Sequence, residues 1–176
     1  KHFGIKALSL GISDYLLKDE LSASLLSKSI FYSIERKRIS IQLEESEEKY
    51  RNLFHFSPTP MWVYEMETYK FLDVNNAAIR NYGFSKEEFL SMTVKEIRPM
   101  EDIKQLEDAV NFSRENPHLF FTGEFRHKKK NGEIIEVEIQ SNVMEFNGKK
   151  SEIVLATDIT QKKTEEHRLK LLESVI

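Results

Sequence analysis

The chain has 176 residues, 40% of them hydrophobic and 31% charged, which is enough apolar content for one sizeable core and more charge than such a core requires. Its net charge of −3 gives no general attraction to nucleic acid or to an anionic membrane surface. It has no cysteine, which excludes disulfides, thiolate metal sites and any cysteinyl adduct with a cofactor. No apolar run approaches the roughly 20 residues of a membrane helix, and the first residues lack a signal-peptide core, so a cytoplasmic location without membrane contact is expected.

Lys1 to Leu10 reads as helical, Gly11 stops it, and Ile12 to Leu17 is a short apolar run of strand type with no second strand nearby to pair with. A lone strand cannot satisfy its own backbone groups, so this opening is expected to be the tail of a domain whose body lies elsewhere. From Ser22 a helical pattern places Leu25, Leu26, Ile30, Ile34 and Ile41 at intervals of three, four and seven. Ile39, Leu43, Tyr50 and Leu53 follow on a shifted face. With glutamates, lysine and arginine covering the rest, the helix is too polar to be buried alone. A connector with a dimer seam that changes phase near Ile39 to Ile41 is expected, the alternative being a single surface helix.

Ser57-Pro58-Thr59-Pro60 ends the helix, because proline lacks a donor and disfavours helical geometry in the residue before it. Met61 to Glu65 and Lys70 to Val74 are rich in aromatic and branched residues and are predicted strands. Asn75 offers an N-cap for a helix over Asn76 to Tyr82, and Gly83 ends it. Ser85 with Glu88 three residues on has the spacing of a capping box. Glu101 to Glu115 is a longer predicted helix with Ile103, Leu106, Ala109 and Val110 on one face, broken at Asn116-Pro117. Phe120 to Thr160 then reads as a three-stranded antiparallel meander, turned at Asn131-Gly132 and Asn147-Gly148, where each Asn-Gly pair is expected to supply two positive-φ residues. Ile135, Val137 and Ile139 alternate with Glu136, Glu138 and Gln140, which predicts one packed and one wet sheet face. The chain is helical again from Gln161, with Leu169, Leu172 and Ile176 at seam spacing, and Thr160 is placed to cap that helix.

Two strands, several short helices and three antiparallel strands, with one helix entering and one leaving, define an α+β domain of about one hundred residues. This order resembles the PAS sensory family over residues 46–160. The stretches that carry the resemblance are Glu45-Ser46-Glu47-Glu48-Lys49-Tyr50-Arg51-Asn52-Leu53-Phe54, Phe71-Leu72-Asp73-Val74-Asn75-Asn76-Ala77-Ala78, Tyr82-Gly83-Phe84-Ser85-Lys86-Glu87-Glu88-Phe89, Lys129-Lys130-Asn131-Gly132 and Asp158-Ile159-Thr160. The resemblance implies a five-stranded antiparallel sheet with short helices on one face and long flanking helices. It also implies that Asp158 and Thr160 couple the last strand to the outgoing helix.

Ser9-Leu10-Gly11-Ile12-Ser13-Asp14-Tyr15-Leu16-Leu17-Lys18 resembles the last part of a response-regulator receiver domain, which implies Tyr15 as the switch aromatic and Lys18 as the cation that contacts a phosphoryl group. The acceptor aspartate and acidic metal pocket of that family lie upstream of this chain, so no phosphorylation chemistry is expected. The implied organisation is a receiver tail over 1–38, a connector helix over 39–56, a PAS domain over 57–160 and an outgoing helix over 161–176.

The packed sheet face is expected to enclose a pocket lined by Trp62, Phe71, Tyr82, Phe89, Phe112, Phe125 and Val137, either holding a small molecule or filled by these side chains. Haem is disfavoured because no histidine lies within Glu101 to Glu115, where the haem-binding relatives place the axial ligand. His55, His118, His127 and His167 are read as solvated, His167 lacking the acidic residue that follows a phosphoacceptor histidine. The run His127-Lys128-Lys129-Lys130 is read as solvated charge at a hairpin tip. No catalytic residue, metal cluster or phosphate loop stands out. The expected function is a PAS sensor or relay module of a two-component protein, a histidine kinase, dimeric through its flanking helices. The alternatives are a ligand-free spacer, or a module serving a cyclase or transcriptional output.

Overall fold

The computed structural model describes residues 23–173, so the expected elements over Lys1 to Leu17, with Tyr15 and Lys18, and the seam residue Ile176 lie outside the described residues. The chain divides into two units, 1–50 and 51–176. In the first, helix α1 (Ala23–Tyr50) runs without a break across the 38/39 boundary drawn from sequence. None of its residues is buried, and Ile30, Ile34, Ile39 and Leu43 are all more than half exposed.

The second unit opens on a π-helical turn (Arg51–His55). Next come strands β1 (Met61–Glu65) and β2 (Phe71–Val74) and helices α2 (Asn76–Tyr82) and α3 (Lys86–Ser91). A 3-10 turn (Met100–Asp102) leads into helix α4 (Ile103–Glu115). Strands β3 (Phe121–Lys128), β4 (Ile134–Phe146) and β5 (Lys149–Asp158) and helix α5 (Thr160–Glu173) complete the chain. The strands form one sheet in the order β2-β1-β5-β4-β3, every neighbour antiparallel. The first and last strands in sequence therefore meet at its centre.

Local chemistry explains the short helices. The Asn75 side chain caps α2 by accepting from the Ala78 N–H, and Gly83 closes it in the left-handed region at φ +80°. Ser85 and Glu88 form the complete capping box of α3. The two hairpins differ from each other. Asn147 and Gly148 both have positive φ, at 51° and 75°, joining Phe146 to Lys149 as expected of a two-residue turn. At the other, only Gly132 has positive φ. The loop over 129–133 is wider, with the Asn131 carboxamide oxygen accepting from the Glu133 N–H at 3.0 Å.

Trp62, Tyr64, Val137, Ile139, Val154 and Ala156 from one face of the sheet pack with Ala78, Tyr82, Phe89, Leu106 and Val110 from the helices. Edge-to-face aromatic pairs run through this core, Trp62–Tyr82 at 5.7 Å and Phe71–Phe89 at 5.0 Å between centroids, each contributing about 1 kcal/mol beyond burial. On the opposite face Glu136, Glu138 and Gln140 are half-buried rather than fully wet.

Candidate functional site: the sheet-to-helix junction and the polar interior

Strand β5 hands over to α5 through Asp158-Ile159-Thr160, and the junction is tied to β4. The Thr160 hydroxyl accepts from the Glu136 N–H at 3.0 Å, and the Ile159 N–H donates to the Glu136 carbonyl at 2.9 Å. Both backbone groups of Glu136 are thus held by the root of the exit helix. The Asp158 carboxylate accepts from the Thr160 N–H at 2.9 Å, fixing the bend, and Lys163 in the first turn of α5 pairs with Glu124 of β3. The expected capping role of Thr160 is corrected here. Thr160 is the first helical residue, its oxygen serves β4 and the Asp158 side chain serves the junction, because the β4–β5 register places Glu136 just beyond the last strand pair, Val137–Asp158. Beyond that turn α5 has no buried residue, and Leu169, Leu171 and Leu172 are half exposed.

The entry side is fixed by Asn75, which is fully buried. Its oxygen accepts from the N–H groups of Met61 (3.0 Å) and Ala78 (2.8 Å), and its nitrogen donates to the carbonyls of Phe54 (3.0 Å) and Thr59 (2.8 Å). Every hydrogen-bonding position of the amide is used. Nearby, Asp73 is 2.8 Å from Lys86 Nζ and 3.7 Å from His55 Nε2.

Between entry and exit lies an interior more polar than the aromatic residues suggest. The Glu152 carboxylate, 4% exposed, accepts from the hydroxyls of Tyr64, Ser113 (2.9 Å) and Ser141 (2.6 Å). Burial first, then the Glu152 charge and their hydrogen bond, raises the Tyr64 phenol well above its ordinary pKa. Arg98, 5% exposed, donates from Nη1 to the Val94 carbonyl and stacks 5.8 Å from the Phe125 ring, while its Nε has no partner. Burial lowers its pKa to about 10. A cavity of about 20 Å³ separates these groups, with Leu106, Ala109 and Val110 of α4 on its wall. That volume is room for about one water molecule.

The sequence-predicted pocket residues part company around this cavity. Phe125 lines it. Trp62, Phe71, Tyr82, Phe89 and Val137 are instead buried within the packed core, and Phe112 is 44% exposed with its ring against Phe121 at 6.0 Å. Phe112 lies off the α4 stripe of Leu106, Val110 and Ser113, so the helix turns it outward. The reading of His127 as solvated is corrected. It is completely buried, its Nδ1 is 2.6 Å from the Tyr82 hydroxyl, and its Nε2 has no partner. Burial, reinforced by the Arg98 charge, holds its imidazole well below the ordinary pKa. Lys129 and Lys130 at the hairpin pair with Glu133 and Glu88. Sequence reasoning missed Arg98, Glu152 and the burial of His127, although two of them carry a period-two signal. Glu152 is in phase with Val154 and Ala156, and His127 with Phe125.

No group of His, Asp or Glu able to hold a metal ion occurs among the described residues, and none of the described helices is long and apolar enough to cross a membrane.

Comparison with known proteins agrees with this architecture. The family model described as PAS fold matches residues 71–157. Among solved structures, the PAS domain of an HTR-like protein from Haloarcula marismortui has a TM-score of 0.60 at 22% identity, over 70% of this chain and 99% of that one. A PAS domain from a two-component sensor histidine kinase has a TM-score of 0.56 at 23% identity, over 65% and 97%. The unit that carries the sheet has the PAS fold. A methyl sulfide methyltransferase-associated sensor of Methanosarcina acetivorans is 29% identical over 135 residues, 76% of this chain. The chain spans 13% of the length of that relative.

Proposed function

We propose that this chain is a cytoplasmic PAS sensor or relay module of a two-component signalling protein, a histidine kinase, that passes the state of its domain to a downstream partner through α5. The observation that carries this reading is the double hold of Thr160 and Ile159 on the backbone of Glu136. A change of strand position in β4 then has to be answered by the first turn of α5, and the energies involved need be only a few kcal/mol to shift a two-state output. The related sensor and the sensor-kinase PAS domains support the assignment by likeness alone. A homodimer through the flanking helices is part of the proposal, supported by the exposed Ile30, Ile34 and Ile41 of α1 and Leu169 and Leu172 of α5. The test is Asp158→Ala with Thr160→Ala in the full-length protein. Altered basal output or altered response is the expected result, and unchanged values of both reject the reading.

A second reading, a ligand-free spacer that holds helix phase, is favoured by the small size of the interior cavity. Denaturing extraction followed by mass spectrometry separates the two. A stoichiometric small molecule supports the sensor, and none in protein from its native host supports the spacer.

A further inference from the structure

We propose that the cavity between Arg98 and Glu152 is a binding site for a small zwitterion of the amino-acid class, its carboxylate on Arg98 and its ammonium group on Glu152. The proposal rests on the sensor reading above and names the ligand chemistry of that module.

Two opposite charges, each more than nine-tenths buried, line one cavity, and no ion pair joins them among the described residues. Glu152 is satisfied by three hydroxyls. Arg98 is not satisfied in the same way. One nitrogen is committed to the Val94 carbonyl, no carboxylate meets the guanidinium, and Nε is without an acceptor. Arginine left in this condition inside a core is costly, and Nε belongs to the edge of the fork that receives a carboxylate in a bidentate pair.

The charges of the walls select the guest. A simple anion on Arg98 would face the Glu152 carboxylate, and a simple cation on Glu152 would face the guanidinium. An apolar guest would leave Nε unpaired. A molecule with separated, opposite charges meets both walls at once.

Size then dictates the motion. The cavity of about 20 Å³ holds a single water, so a guest enters by displacing α4, whose Leu106, Ala109 and Val110 form the wall. That helix is tied to the site by the Ser113 hydroxyl on Glu152 at 2.9 Å. An arriving ammonium group takes over that acceptor, which replaces the tie while α4 moves. Glu152 also lies on β5, the strand that ends at Asp158, so the displacement acts directly on the element that feeds the exit helix.

Isothermal titration calorimetry on the full chain tests this with glycine and L-alanine as zwitterions, and acetate and methylammonium as single-charge halves. Saturable binding of at least one zwitterion is expected, with acetate and methylammonium each roughly ten-fold weaker or more. Arg98→Gln and Glu152→Gln should each weaken zwitterion binding by roughly ten-fold or more. Ser113→Ala, which frees the acceptor without touching either charge, should tighten it. Ala109→Leu fills the cavity and should abolish binding in a protein that keeps both charges, which guards against misfolding of the charge variants. No zwitterion binding at millimolar concentration, equal binding of acetate alone, or binding retained in Ala109→Leu overturns the proposal. Those results leave the sensor reading standing, since its test through Asp158 and Thr160 does not depend on the ligand.

Discussion

The hydroxyl of Thr160 accepts the backbone N–H of Glu136 at 3.0 Å, which makes the first residue of the exit helix a hydrogen-bonding partner of strand β4. Replacing Thr160 with Val keeps the shape and removes the acceptor. The Glu136 N–H then has no protein partner at this place, a loss of about 1–2 kcal/mol. Hydrogen exchange resolved to single amides checks this. Glu136 should exchange faster in the variant, while the Ile139 amide within the strand should hardly change.

Asn75 joins the end of the entry segment to the first two strands with all of its amide groups in use. Asn75→Asp is nearly isosteric, yet it places a carboxylate oxygen against the carbonyls of Phe54 and Thr59 where two donors stood. The change should destabilise the domain by about 3 kcal/mol or more, because acceptors face acceptors without water. Thermal unfolding measures it, and Asn75→Ala should be no worse.

Glu152 gathers hydroxyls from β1, α4 and β4. Glu152→Ala leaves three buried donors without their acceptor and opens space, so the expected cost is about 3–5 kcal/mol. Glu152→Gln keeps one oxygen and should cost clearly less. Urea denaturation of the two variants, compared by midpoint at constant slope, checks the order.

His127 gives the domain a pH dependence. Its native pKa lies well below the ordinary 6.5 because the ring is buried and Arg98 adds positive charge. Below pH 6.5 the unfolded chain therefore takes up a proton that the native ring refuses. Stability is full above 6.5 and falls as pH drops from there toward the native pKa, by about 1.4 kcal/mol per pH unit within that window. Urea unfolding at pH values descending from above 6.5 should show a flat region and then this slope in the wild type once the pH passes below 6.5. His127→Gln should lose that part of it, whatever its own stability.

Much of the fold is legible in the sequence because it is written locally. Asn75, Gly83, Ser85 with Glu88, and Asn147-Gly148 each decide their own turn or cap through atoms a few residues away, and the structure places them as expected. The meander and its five-stranded sheet follow from these stops. What is decided by distant register is not legible in the same way. The acceptor role of Thr160 depends on which β4 residue lies beside the end of β5, 24 residues earlier in sequence. His127 looked like part of a basic hairpin tip because Lys128, Lys129 and Lys130 follow it, but strand alternation from Phe125 turns it inward while its neighbours reach solvent. Arg98 follows a short turn without periodicity, and it is an interior charge through contacts distant in sequence, the Phe125 ring of β3 and the cavity it shares with α4.

The central claim is that the sheet holds the root of the exit helix rigidly, and a distance measurement tests it directly. The chain lacks cysteine, so spin labels can be attached through Asn142→Cys on β4 and Glu166→Cys on α5, both exposed positions. Double electron–electron resonance should give one narrow distance distribution in the otherwise wild-type chain and a broad one once Asp158→Ala and Thr160→Val are added. Equal widths in the two proteins would contradict the account.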